Sequence, residues 1–264
     1  MLDAAACAAL MDELTRIAAQ AAQTILDLAI KADARIKADG SPVTAADEAA
    51  EAIIAEGLRR LAPAVPVISE EQEHAKPEAM GRGSYFLVDP LDGTREFIAG
   101  RNEYTINIAL MTDGAPMLGI IWAPALREFW RGIVGRGAER IAGAKTDRPT
   151  AIRARPRPKD EAVIVLSRSH LEARTRAYVD GFTQARLVEC GSSMKFCRVA
   201  EGSADLYPRL APTHDWDVAA GHAILMAAGG QVAAPDGRPL VYGSPELLIP
   251  GFIASGDPAA SITA

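Results

Sequence analysis

The run Val88-Asp89-Pro90-Leu91-Asp92-Gly93-Thr94-Arg95-Glu96-Phe97-Ile98 (VDPLDGTREFI) decides how this chain is read. The residues leading into it, Tyr85 to Asp89 (YFLVD), form an apolar, β-prone segment that predicts a strand. Asp89 and Asp92 follow three residues apart. Pro90 stiffens the chain between them, and Gly93 lets the backbone come close to a ligand. The residues from Arg95 to Ile98 can open a helix. The unit is therefore strand, turn, helix, with two carboxylates at its apex. Glu70 and Glu71 end a second predicted strand, Val65 to Ser69 (VPVIS), and can lie alongside. Asp217, in Trp216-Asp217, starts a helix much later in the chain.

Each piece alone has an ordinary explanation. Asp-Gly is a common turn, Glu-Glu a solvated pair, and an acid in a first helical turn complements the helix dipole. Together they are harder to dismiss, because several carboxylates stacked without counter-charge repel strongly. A divalent cation removes that repulsion. Oxygen ligands without His or Cys point to Mg²⁺ rather than zinc. Two such ions about 3.5–4 Å apart can hold both oxygens of an in-line displacement at phosphorus. The Gly93 and Thr94 amides, at a helix start, suit a phosphate.

Working outward, Thr44 to Leu61 predicts a helix. Thr44 is placed to cap it, and Asp47 sits three residues on as in a capping box. Leu10, Leu14, Ile17, Ala21 and Leu28 recur at helical spacing in an Ala-rich opening segment. Tyr104–Met111 and Ala115–Trp122 predict paired strands around Asp113-Gly114, and Phe129–Val134 a further strand. Thr146 to Asp160, with three prolines and several arginines, reads as a surface connection between halves. The second half alternates: strand at 162–166, helix at 171–182, strand at 185–189, and helices at 192–201 and 216–228, the last closed by Gly229-Gly230. That alternation predicts an α/β half. The halves expected are residues 1–145 (α+β, most of the acids) and 161–264 (α/β), joined by 146–160.

The 264 residues carry 28 basic and 34 acidic side chains, a formal charge of −6, which argues against a nucleic-acid polymer as partner. Three cysteines make neither a disulfide framework nor a metal spacing and read as reduced thiols. No apolar run approaches the ~18 residues of a membrane span, and the acidic start lacks a signal's basic region. A cytoplasmic location is expected, with a peripheral position at the inner membrane as the alternative. The Gly135-Arg136-Gly137 and Gly143-to-Thr146 segments lack the glycines of nucleotide-binding loops.

Lys195, near the start of the 192–201 helix, is a candidate anion anchor, with Arg209 and the Arg168-Ser169-His170 segment as further candidates. His170 can stack on a base or bond a phosphate, and the sequence leaves both open.

These stretches, with SPVTAAD (41–47), EYTINIAL (103–110), SRSH (167–170), GSSMKFCRVAEG (191–202), LYPR (206–209) and WDVAAGHA (216–223), resemble the inositol monophosphatase-like family of Mg²⁺-dependent, lithium-sensitive phosphatases. REFI, GSSMKFC and LYPR look like its 3'(2'),5'-bisphosphate nucleotidase branch, with Arg95 standing where that branch usually has Lys. The resemblance implies a layered α-β-α-β-α sandwich. It also implies two or three Mg²⁺ ions. Glu70, Asp89 and the Leu91 carbonyl would hold the first, and Asp89, Asp92 and Asp217 the second. Asp47 would be the base, Thr94 its relay to the attacking water, and Glu71 a supporting carboxylate. Gly93, Thr94, Ser169, His170, Gly191, Ser192, Ser193, Lys195, Arg209 and Asp217 would contact a small nucleotide bisphosphate, hydrolysed to AMP and phosphate in sulfate assimilation. The alternatives are an inositol or sugar monophosphatase, and a non-catalytic phosphate or metal sensor. Monomer and homodimer are both open.

Overall fold

The computed structural model describes residues 4–29, 34–37, 40–71, 83–142, 148–158, 160–168 and 171–259. Helix α1 (Ala4–Leu28) is followed by a short antiparallel hairpin of β1 (Ala34–Ile36) and β2 (Pro42–Thr44), then by α2 (Ala45–Leu61). The strands β3 (Val67–Ser69) and β4 (Ser84–Asp92) pair in parallel, and α3 (Thr94–Ile98) follows directly. An antiparallel meander comes next: β5 (Thr105–Thr112), β6 (Ala115–Ala123), β7 (Glu128–Ile133), β8 (Gly137–Ala142) and β9 (Thr150–Ile152). With β3 and β4 they form a seven-stranded sheet in sequence order. The 146–160 segment, read as a plain connection, thus supplies an edge strand. The Gly135–Gly137 stretch turns the chain between β7 and β8.

The rest of the chain holds β10 (Ala162–Ser167), α4 (Ala173–Asp180), β11 (Ala185–Cys190), α5 (Met194–Ala200), β12 (Leu206–Arg209), β13 (Thr213–His214), α6 (Asp215–Ala227), β14 (Gln231–Ala233), β15 (Leu248–Ile249) and β16 (Phe252–Ser255). Its main sheet has the order β11-β10-β12-β16-β14 and is parallel only between β10 and its two neighbours. The last strands are two to four residues long, too short for a clear alternation in sequence. Helices α4 and α5 start later than the periodicity predicts. Glu172 caps α4 by accepting from the Arg174 and Thr175 amides, and α5 begins only after the Ser192–Ser193 turn.

Burial gives the layering. Phe86, Val88, Ile106, Ile108, Leu110 and Ile120 face α1 and α2. On the opposite side of the same sheet, Tyr85, Leu87, Ala109, Met111, Ile121 and Trp130 face α5, α6 and the inner side of the second sheet. Ile164, Leu166, Leu206 and Ile253 pack outward under α4. The result is a five-layer α-β-α-β-α sandwich. Helix α6 lies between the sheets and is apolar nearly all round, as a central helix must be. It approaches β6 so closely that a Cβ on Gly119 would meet the Ala220 carbonyl oxygen at 2.2 Å.

Candidate active site

One pocket at the carboxyl end of β4 is lined by Ser41, Glu70, Asp89, Leu91, Asp92, Gly93, Thr94, Ser192, Ser193, Lys195, Arg209, His214, Trp216 and Asp217, among others. Residues from both halves of the chain therefore meet there. Asp89 and Asp92, three apart, would point to opposite faces of a regular strand. The register prevents this: Asp89 pairs with Asn107 and Asp92 with Thr105, so β4 fits one extra residue between them. That bulge brings both carboxylates to one side. Gly93 sits at φ +94, and a Cβ there would lie 3.1 Å from the Glu103 carbonyl oxygen, so the turn into α3 requires glycine twice over.

The capping box read from the sequence is present. Asp47 Oδ2 accepts from the Thr44 amide (2.8 Å) and hydroxyl (2.6 Å). Its other oxygen, Oδ1, accepts from Thr94 Oγ1 at 3.0 Å, and the Leu91 carbonyl lies 3.2 Å from the same hydroxyl. Asp47 is buried, which raises its carboxyl above the usual range against the pull of those donors.

The pocket carboxylates disturb one another. Burial first, then the charges of Asp217 and Glu71, push Glu70 up to about 7 although Lys37 pulls it down. Asp92 is raised to about 6, chiefly by burial and by Asp217, and is partly relieved by Lys195 and Arg209. Fully buried Asp89 is raised well above its ordinary value by burial and by Glu70, Asp92 and Asp217.

Each acid also has a protein partner. Lys37 Nζ contacts Glu70 Oε1 at 3.1 Å and Glu71 Oε1 at 2.6 Å. The Leu91 amide donates to Asp89 Oδ1 (3.0 Å), and the Ser193 amide to Asp92 Oδ2 (2.5 Å). Asp217 Oδ2 accepts from the His214 amide (3.0 Å) and the Thr213 hydroxyl. Accordingly, among the described residues no three acidic, histidine or cysteine side chains stand gathered to ligate one ion. The donor chemistry nonetheless fits a hard cation. The oxygens are carboxylate and carbonyl, they share one pocket, and Glu70, Asp92 and Asp217 raise their neighbours' proton affinity, which a divalent ion would reverse.

Sequence reasoning missed Lys37, whose hairpin carries no local signal of a contact with Glu70 and Glu71. Lys195, the candidate anion anchor, lines the pocket with a buried ammonium that donates to the Cys190 (3.4 Å) and Ser192 carbonyls and lies over the Tyr207 ring. It supports the Gly191–Ser193 turn, in which Ser192 adopts φ +50, and adds positive charge beneath the pocket. Ser193 Oγ bonds Asn107 (2.6 Å) and Thr105 (2.8 Å) on β5, so it anchors this turn to the first sheet. The Gly191 amide donates to Glu103 at 3.0 Å. Arg209 lines the pocket with its Nε buried and unpartnered. Ser169 and His170 lie outside the described residues. His214 and Trp216 stack with centroids 4.6 Å apart and form a flat wall.

Residues 9–260 match the inositol monophosphatase family. The chain is 43% identical over 245 residues to the 3'(2'),5'-bisphosphate nucleotidase CysQ of Escherichia coli K12, covering 92% of this chain and 97% of that protein. Its fold superposes on CysQ from Bacteroides thetaiotaomicron with a TM-score of 0.79 at 35% identity, over 92% of this chain and 95% of that one. It is also similar to an inositol monophosphatase from Anabaena, with a TM-score of 0.75 at 25% identity, over 96% and 92% of the two chains. No described helix is long and apolar enough to cross a membrane.

Proposed function

The chain belongs to the inositol monophosphatase family, and from that premise we propose that it is a Mg²⁺-dependent 3'(2'),5'-bisphosphate nucleotidase, releasing phosphate from 3'(2')-phosphoadenosine 5'-phosphate to leave AMP. The observation that carries this reading is the pocket itself. Hard-oxygen acids for cations, a hydroxyl–carboxylate pair and two cationic side chains line one cleft in a chain so similar to CysQ.

Glu70, Asp89 and the Leu91 carbonyl would hold one Mg²⁺, and Asp89, Asp92 and Asp217 a second. Bound magnesium supplies Lewis acidity, which makes water acidic and stabilises charge on phosphoryl and leaving oxygens. Glu70 must exchange Lys37 for the ion. Thr94 Oγ1 takes a proton from the attacking water while passing its own to Asp47 Oδ1. Asp47 is suited to receive it, because burial favours its neutral form. The Gly93 and Thr94 amides orient the reacting phosphate at the mouth of α3. Lys195 and Arg209 supply positive charge for the phosphate that remains. Glu71 holds Lys37 in the outer ring of the site, and Gly191, Ser192 and Ser193 shape the wall facing the nucleotide. Ser169 and His170 belong to the nucleotide side by resemblance alone.

The test is phosphate release from this nucleotide, inositol 1-phosphate and fructose 1,6-bisphosphate at saturating Mg²⁺, with and without lithium. The nucleotide is expected to be preferred. A preference for inositol phosphate would place the chain with the monophosphatases, and tight binding without turnover would make it a sensor.

A further inference from the structure

Glu103 lies between α3 and β5 in the first half of the chain, and it does not line the pocket. Three hydrogen bonds from the second half nevertheless converge on its carboxylate. The Gly191 amide, 88 residues away in sequence, donates to Oε2 at 3.0 Å. Arg168, 65 residues away, donates through Nη1 to the same oxygen and through Nη2 to Oε1, the latter at 3.1 Å. The guanidinium therefore grips the carboxylate with both arms, which fixes orientation as well as charge. Glu189 is the other acid facing Arg168, with Oε2 3.7 Å from Nε, but it is largely exposed and makes the weaker pair.

The backbone of Glu103 is as closely packed as its side chain. A Cβ on Gly93 would come within 3.1 Å of the Glu103 carbonyl oxygen. A Cβ on Gly191 would come within 2.8 Å of that oxygen and 2.9 Å of Glu103 Cβ. Gly93 belongs to the turn between β4 and α3, beside Asp92, and Gly191 opens the turn between β11 and α5. Two glycine turns, one from each half, thus pack on a single residue.

The neighbours of Arg168 and Gly191 are pocket residues. Ser167 ends β10 just before Arg168, and Ser192 and Ser193 follow Gly191; all three serines line the pocket. The Ser193 end of its turn, whose amide holds Asp92, has separate anchors in Asn107 and Thr105. Glu103 ties down the Gly191 end and the end of β10.

We infer that Glu103 is a positioning residue for the nucleoside part of the substrate: it sets how far the wall at the ends of β10 and β11 stands from the Gly93 turn, where the reacting phosphate is held. This rests on the nucleotidase reading above. Inorganic phosphate is too small to span from the metal side to that wall, whereas AMP spans it. Loss of Glu103 therefore weakens nucleotide binding and leaves the chemistry at Asp92 and Thr94 in place.

The experiment is steady-state hydrolysis of 3'-phosphoadenosine 5'-phosphate by the full chain at saturating Mg²⁺, with AMP and inorganic phosphate as product inhibitors and melting temperature as a control for folding. Glu103→Ala is expected to raise KM and the AMP inhibition constant about tenfold, the scale of one charge-assisted hydrogen bond. The turnover number kcat and the phosphate inhibition constant should stay within about twofold, because binding common to ground and transition states is what is lost. Glu103→Gln keeps an oxygen for the Gly191 amide but not the charge facing Arg168, so it should show the same split at about threefold. If Glu103→Ala does not fold, Glu103→Gln carries the test. Parental KM in the folded variants, or kcat and both inhibition constants worsening together, would overturn the role of Glu103. A parent that does not cleave the nucleotide at all would instead overturn the nucleotidase reading, and this proposal with it.

Discussion

Replacing Asp92 by Asn should make the protein more stable and nearly inactive at once, and the size of the gain follows from the pocket's electrostatics. Burial and Asp217 hold the Asp92 carboxyl at about 6, against an ordinary 3.8. A raised carboxyl contributes stability below its ordinary value and loses it as pH rises through the folded one. Above pH 6 the charged form therefore costs the fold about 3 kcal/mol at face value. Solvent at the pocket mouth trims this to roughly 1–3 kcal/mol. Asn is neutral at every pH and its carbonyl can still accept from the Ser193 amide, so it escapes that cost. For a chain of this size each kcal/mol moves the midpoint by about 2–4 °C. Melting in EDTA at pH 8 should thus show Asp92→Asn several degrees above the parent, and melting near pH 4 should show no difference. Adding Mg²⁺ should raise the parent's midpoint more than the variant's, which keeps only the Glu70, Asp89 and Leu91 ligands intact. Turnover should fall at least about 100-fold. A variant less stable than the parent in EDTA at pH 8, or one whose Mg²⁺ response equals the parent's, would refute the reasoning.

Three other outcomes follow from the same geometry. Because Glu70 and Asp92 are raised to about 7 and 6, protons compete with the ion, so Mg²⁺ affinity measured by calorimetry should strengthen as pH rises from 5.5 to 8 and then level off. Lys37→Met removes the counter-charge of Glu70 and Glu71, a half-buried pair whose loss should cost about 1–3 kcal/mol in EDTA and clearly less in saturating Mg²⁺, as read by denaturant unfolding. Thr94→Val keeps the side-chain shape but breaks the link to Asp47, so kcat should fall about 10²- to 10⁴-fold with Mg²⁺ affinity unchanged; a shift confined to KM would remove Thr94 from proton transfer.

Much of this molecule is local and could be read along the chain. The Thr44–Asp47 box, the Asp113-Gly114 hairpin and the Gly229-Gly230 helix stop each depend on a few neighbouring residues. The VDPLDGT unit and the distant Asp217 announced an acidic centre by residue type alone. What remained hidden was non-local. Whether Asp89 and Asp92 share a face depends on a bulge defined only against β5. The Ser193 amide that holds Asp92 comes from 101 residues away, and Lys37 reaches Glu70 from 33. Lys195 reads as an anion anchor, but its enclosure by Tyr207 and two carbonyls is not legible along the chain. Periodicity and capping report on backbone within a turn or two, so they specify elements. Which buried charge finds which partner is settled only when the sheets close around α6 and water is excluded, because only then does an unpaired carboxylate become costly enough to dictate its company.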